Sequence, residues 1–99
     1  MAEIYSSGTW MVKAGEEEAF VEAWRQFITW ATEQPGSGTF RLARDLSNAS
    51  HFLSFGSWDS AEAERAWMES PEFGERLGRV RAHCDDMSGS GYELVTTVG

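Results

Sequence analysis

The residues of this chain that could do chemistry are few and scattered. His83-Cys84-Asp85-Asp86 gathers metal-ligand types, but four consecutive side chains cannot converge on one ion without strain. His83 also ends a basic cluster with Arg76, Arg79 and Arg81 that could hold an anionic substrate. Glu72 and Glu75 at helical spacing make a salt-bridged, solvated face the plainer outcome. His51 opens a strand-like run, where an imidazole titrating near neutrality could act as a base or simply sit on the surface. Cys84 closes a helical stripe with Phe73, Leu77 and Val80, which makes it a small buried hydrophobe rather than a nucleophile. No G-x-S-x-G, phosphate-loop or dinucleotide fingerprint occurs, so hydrolase and nucleotide chemistry has no support.

What the chain has in abundance is aromatic surface. Five Trp, six Phe and two Tyr in 99 residues are a heavy load for one small domain. They imply oligomer burial, a ligand pocket, or both. The net charge of −8 and sequence pI of about 4.6 repel phosphate backbones and anionic membranes, which argues against nucleic-acid and membrane partners. One cysteine permits no internal disulfide, and the first residues carry neither a basic run nor an apolar stretch. A soluble, cytoplasmic, single-domain protein over residues 1–99 is expected.

The elements that must position these residues follow from pattern. Ile4–Val12 is β-rich, with Ile4, Ser6, Gly8, Trp10 and Val12 on one face. Gly8 there marks a gap, a bulge or a close approach by a ligand. Phe20, Ala23, Trp24, Phe27, Ile28 and Ala31 recur at helical spacing, predicting a helix over residues 16–33 that Pro35-Gly36 ends. Strands are expected over 39–46 and 51–58, joined by Ser47-Asn48-Ala49-Ser50. Ser54 and Trp58 fall on the same face of the second of these. Asp59 with Glu62 has capping-box spacing, and Ser70-Pro71 repeats a helix-start signal, so two consecutive helical pieces should follow. Ser88-Gly89-Ser90-Gly91 reads as a flexible connector before a closing strand over 92–98.

This β-α-β-β-α-β order favours an α+β, ferredoxin-like fold, a four-stranded antiparallel sheet with the helices on one face. Trp, Phe, Leu and Val on the other face would be covered if two sheets packed together, which predicts a homodimer.

The element order, the run Trp58-Asp59-Ser60 with Ala63, and Ser70-Pro71 with Phe73 resemble the antibiotic biosynthesis monooxygenase family, across residues 4–98. The resemblance implies a dimeric α/β barrel with a pocket between sheet and helices. It also implies chemistry that ranges from metal- and flavin-free oxidation of anthrone-like polyketides to haem degradation. In the anthrone-oxidising subgroup a Trp matching Trp58 lines the pocket beside an Asn, whose position here is Ser54. Such a cavity must deprotonate an electron-rich aromatic and hold the anion with a hydrogen-bond donor. Ser54, Trp58 or Tyr92 could donate. Trp58 and Ser54 are therefore the expected catalytic pair, with Trp67, Phe73, Trp10, Tyr92 and Leu77 around the substrate. In the haem-degrading subgroup Trp67 would press on the haem, but Leu77 stands at the axial His position and cannot ligate iron. No cofactor or metal is expected. The function implied is oxidation of a small aromatic or quinol-type ligand. A non-catalytic binder of haem or another planar ligand and a ligand-free structural dimer stand as the alternatives.

Overall fold

The computed structural model describes residues 3–99; Met1 and Ala2, the start of the stretch read for a leader, lie outside the described residues. Its elements are β1 (Ile4–Val12), α1 (Glu17–Ala31), β2 (Ser37–Asp45), β3 (Asn48–Trp58), α2 (Ala61–Met68), α3 (Phe73–Arg81) and β4 (Cys84–Glu93). The strands form one antiparallel sheet in the order β2-β3-β1-β4, the ferredoxin-like arrangement that the element order favours.

Alternation along the strands decides which residues meet the helices. Trp10, Val12, Phe52 and Trp58 point inward and are buried with Phe20, Phe27, Trp30, Trp67 and Val80 from the helices. On the opposite face Leu53, Phe55 and Tyr92 stay exposed. The inner cluster is mostly rings in contact. Trp67 meets Trp58 at 5.1 Å, Phe73 edge-on at 4.9 Å and Phe27 at 5.5 Å between centroids, separations at which aromatic pairs attract beyond their area burial.

Local chemistry explains where elements begin and end. After α1 the chain reverses at Gly36, whose φ of +82° suits a residue without Cβ. A side chain there would also lie 2.7 Å from Ala63 on α2, so Gly36 lets the turn approach the helix. Asp59 does not cap α2. Its amide donates to Gly36 O at 2.8 Å, and the cap is Ser60, extended at φ −157°, whose hydroxyl accepts from the Ala63 amide at 3.1 Å. Ser70-Pro71 forms the turn between helices rather than the first turn of α3, with Ser70 O accepting from the Phe73 amide at 3.1 Å.

Three further boundaries depart from expectation. The β2–β3 hairpin is tighter, with Asp45 opposite Asn48, because Ser47 folds back on Asp45 through its amide at 2.8 Å. Cys84 opens β4 opposite Val12 instead of ending a helix. It is half-buried beside the core, and burial pushes its thiol above the usual range. The largest departure is Ser88–Gly91, which is the middle of β4 and not a connector. Ser88, Gly89, Ser90 and Gly91 pair with Thr9, Gly8, Ser7 and Ser6 of β1, and residues 94–99 lie beyond the strand.

Gly56 on β3 is fixed by packing, because the Phe40 ring lies where its Cβ would be. Gly56→Ala is expected to cost about 1–3 kcal/mol through overpacking. Urea unfolding should show a lower midpoint with an unchanged slope.

Candidate functional site

The inner face of the sheet carries Ser6, Gly8, Ser54, Gly56, Gly89 and Gly91 at its centre. None is larger than a hydroxymethyl group, so the helices rest on the surrounding large residues and leave a space above. That space is a cavity of about 240 Å³, just below the usual range of roughly 300–1,000 Å³ for small-molecule pockets. Its floor includes Ser6, Gly8, Trp10, Ser54, Gly56, Met87 and Gly89; its roof is Trp24, Phe27 and Ile28 of α1, Trp67 and Met68 of α2, and Phe73 and Leu77 of α3.

Polar groups are sparse in this apolar setting and carry no charge. Ser54 is the one polar residue among the fully buried set, at 8 % exposure. Its Oγ accepts from Trp10 Nε1 at 3.0 Å and donates to Gly8 O at only 3.5 Å. The first bond holds the hydroxyl in place; the second is so long that its proton is free to turn toward a better acceptor. Two more donors face no acceptor. The indole nitrogens of Trp24 and Trp67, both in lining residues, are buried without a hydrogen-bond partner among the described residues. Unpaired buried donors are rare in folded proteins and are satisfied when a ligand supplies an acceptor.

Of the residues expected around a substrate, Ser54, Trp67, Phe73, Trp10 and Leu77 line this cavity together. Trp58 does not reach it. It is buried on the same helix-facing side, beside the cavity, where it packs on Trp67 at 5.1 Å and its Nε1 donates to Ser6 Oγ at 3.1 Å, so its links to the cavity run through Ser6 and Trp67. Tyr92 lies opposite Tyr5 on the outer face and is exposed, well away from the lining. The sequence reading passed over Trp24, Phe27 and Ile28, although their helical stripe is plain; a core face and a pocket roof carry the same pattern. Gly89, within the stretch expected to be a connector, and Met87, just before it, line the cavity as well.

Both histidines are engaged elsewhere. His51 Nδ1 meets Asp45 Oδ2 at 2.9 Å across the hairpin, and this contact, with Ser47, holds the Asp45 carboxyl far below its usual range. His83 Nδ1 meets Glu16 Oε1 at 2.9 Å. Arg76 and Arg79 pair with Glu72 and Glu75 along α3 at 3.0 and 2.8 Å, and Arg76 also covers the Trp30 ring. No group of His, Cys, Asp and Glu among the described residues could hold a metal ion. Haem fits the cavity poorly. Its lining offers no His, Cys or Tyr ligand, and Leu77 stands among the roof residues.

The family profile described as antibiotic biosynthesis monooxygenase matches residues 4–76. The chain belongs to this family. Solved structures repeat its fold over nearly the full length. A variant of SnoaB, a cofactor-independent oxygenase from Streptomyces nogalater, superposes with a TM-score of 0.88 at 18% identity, covering 97% of this chain and 96% of that one. A putative antibiotic biosynthesis monooxygenase from Deinococcus radiodurans gives 0.82 at 18% identity over 97% and 96% of the two chains. One from Bordetella bronchiseptica gives 0.83 at 14% over 99% and 100%. At these identities the likeness carries the fold alone. No curated protein sequence matches the chain. Among the described residues no helix is long and apolar enough to cross a membrane.

Ser54→Ala removes the only acceptor of a buried indole N–H. We expect a loss of about 1–3 kcal/mol in chemical denaturation, the cost of an orphaned buried donor. The folded protein should retain its far-UV circular dichroism.

Proposed function

We propose that this monooxygenase-family chain oxidises a small electron-rich aromatic, of the anthrone or hydroquinone type, with oxygen and no cofactor. The observation that carries the reading is the cavity's combination of an apolar, ring-lined interior with unspent neutral donors and no charged side chain. Ser54 has a hydroxyl proton to redirect, and Trp24 and Trp67 have N–H groups without acceptors. Such a lining favours a flat ligand carrying an oxygen, and favours it more once that oxygen is negative.

Beyond these donors the chemistry needs only a base to take one proton from the substrate. Loss of a proton turns the substrate into an electron-rich anion able to reduce oxygen itself. For an anthrone, a ring CH2 becomes C=O. One oxygen atom enters the product and the other leaves as water, so the substrate's four electrons reduce O2 completely. Ser54 would hold the developing oxyanion, Trp67, Phe73, Leu77 and Trp10 would clamp the rings, and Trp58 would act through its hydrogen bond to Ser6. The apolar roof would keep water from the anion.

Oxygen uptake by metal-stripped protein with a panel of anthrones and hydroquinones tests this. Uptake should exceed the buffer rate and fall about 100-fold or more in Ser54→Ala, the typical cost of losing one oxyanion donor. Ligand binding seen by Trp fluorescence without uptake would replace the enzyme by a planar-ligand binder.

The partner in this reading is a second copy of the chain, seated on the outer face of the sheet where Leu53, Phe55 and Tyr92 are exposed. Sedimentation velocity should give twice the 11.1 kDa chain mass, and Leu53→Glu should shift it toward the monomer.

A further inference from the structure

Cross-strand pairing grades the inner face of the sheet into rows. Phe52, Trp10 and Met87 stand side by side on β3, β1 and β4 and close one end; Trp58 and Ile4 close the other. Between them lie two rows of small residues, first Ser54, Gly8 and Gly89, then Gly56, Ser6 and Gly91. Together they make a trough three strands wide.

Most of this trough is already filled. Phe40 lies over Gly56, Glu64 over Gly91 and the Trp10 indole over Gly8. Gly89 has only the tip of Met87 beside it. A Cβ there would meet Ser7 O at 3.3 Å and Met87 Cε at 3.6 Å, with nothing else within 4 Å. Gly89 also lines the cavity, so open volume lies over β4 while the Ser54 hydroxyl stands on β3, with β1 between them. Neighbouring strands are about 4.8 Å apart, which separates the Ser54 and Gly89 positions by about 10 Å.

We propose that Gly89 is the position that sets ligand size in this cavity. With no side chain there, fused rings held by an oxygen at Ser54 extend across β1 and lie over the backbone of β4. This rests on the reading of the cavity as the site of an oxygen-bearing aromatic. One ring can seat beside Ser54 without entering the space over Gly89. Three fused rings cannot, because Phe40 and Glu64 cover both ends of the neighbouring row and Phe52, Trp10 and Met87 close the other side. Position 89 offers the ligand no polar contact. It acts by exclusion, since a side chain there would project into the ligand's space from a backbone that cannot give way.

The test is equilibrium binding of anthrone and of hydroquinone to the full chain under nitrogen, read by isothermal titration calorimetry. Gly89→Val should weaken anthrone binding about tenfold or more, the cost of forcing extra methyl groups into filled space. It should leave hydroquinone binding unchanged. Gly89→Ala should discriminate in the same sense to a smaller extent, and carries the test if the larger side chain disturbs folding. Ser88→Val places the same side chain one residue earlier, on the outer face opposite Thr9, and should bind both ligands as wild type does. Equal anthrone affinity in wild type and the Gly89 variants, an equal loss for both ligands, or no anthrone binding by wild type would overturn the proposal. Because oxygen is excluded, the readout is independent of turnover. Size selection at position 89 without oxygen uptake by wild type would keep Gly89 and sink the oxygenase reading. Uptake with an undiminished kcat/KM for anthrone in Gly89→Val would do the reverse.

Discussion

On the inner face of β1, β3 and β4 the sheet has no large side chain at its middle, and the volume left there must be taken up from elsewhere or stay open. Three of its four glycines are covered. The Phe40 ring lies over Gly56, the Trp10 indole reaches over Gly8 with Nε1 2.8 Å from where a Cβ would stand, and Glu64 lies over Gly91. Above Gly89 only Ser7 O and Met87 Cε come near, and Gly89 is in the cavity lining. The helices cannot sink further because Trp67, Phe27 and Phe73 already rest against one another. Close-packed rings resist the collapse that would close a smaller gap. The Trp10–Ser54 hydrogen bond belongs to the same constraint, since it fixes the indole flat over Gly8 while leaving one hydroxyl proton unspent.

How much of this the sequence discloses follows the same division. Large residues with strong periodicity are legible. The first strand, Ile4–Val12, is read to the residue because β-branched and aromatic side chains alternate along it, and the helix of Phe20, Trp24 and Phe27 is read to within two residues at either end. Small residues are not legible in that way. Ser88-Gly89-Ser90-Gly91 has the composition of a linker, and intrinsic preference points away from a strand. It becomes one because Ser6, Ser7 and Gly8 offer a partner face equally small. The matching run in β1 is the signal that could have found it, since two small runs can pair where one alone cannot. Tyr92 was misplaced by the same error; with the strand shifted toward the N-terminus it falls on the outer face.

The residues with the most reactive side chains turn out to hold the frame. His51 with Asp45 closes the hairpin, and His83 with Glu16 ties the start of α1 to the turn before β4. Both imidazoles are spent on carboxylates far from the cavity, and Cys84 is spent on packing. The cavity is left with neutral donors and no charged side chain, which is consistent with a reaction whose redox power resides in the substrate.

The family's motif divides along the same line. Trp58 packs against Phe40 and Trp67 beside the cavity, Ser60 caps α2, Ala63 lies against the Gly36 turn and Ser70-Pro71 turns the chain between helices. Of the motif residues only Phe73 touches the cavity. A motif of this kind fixes a strand-to-helix joint, and a joint can be kept while the space beside it changes. The shape of that space is set by residues outside the motif: by Ser54 and Ser6 and by the glycines that thin the floor.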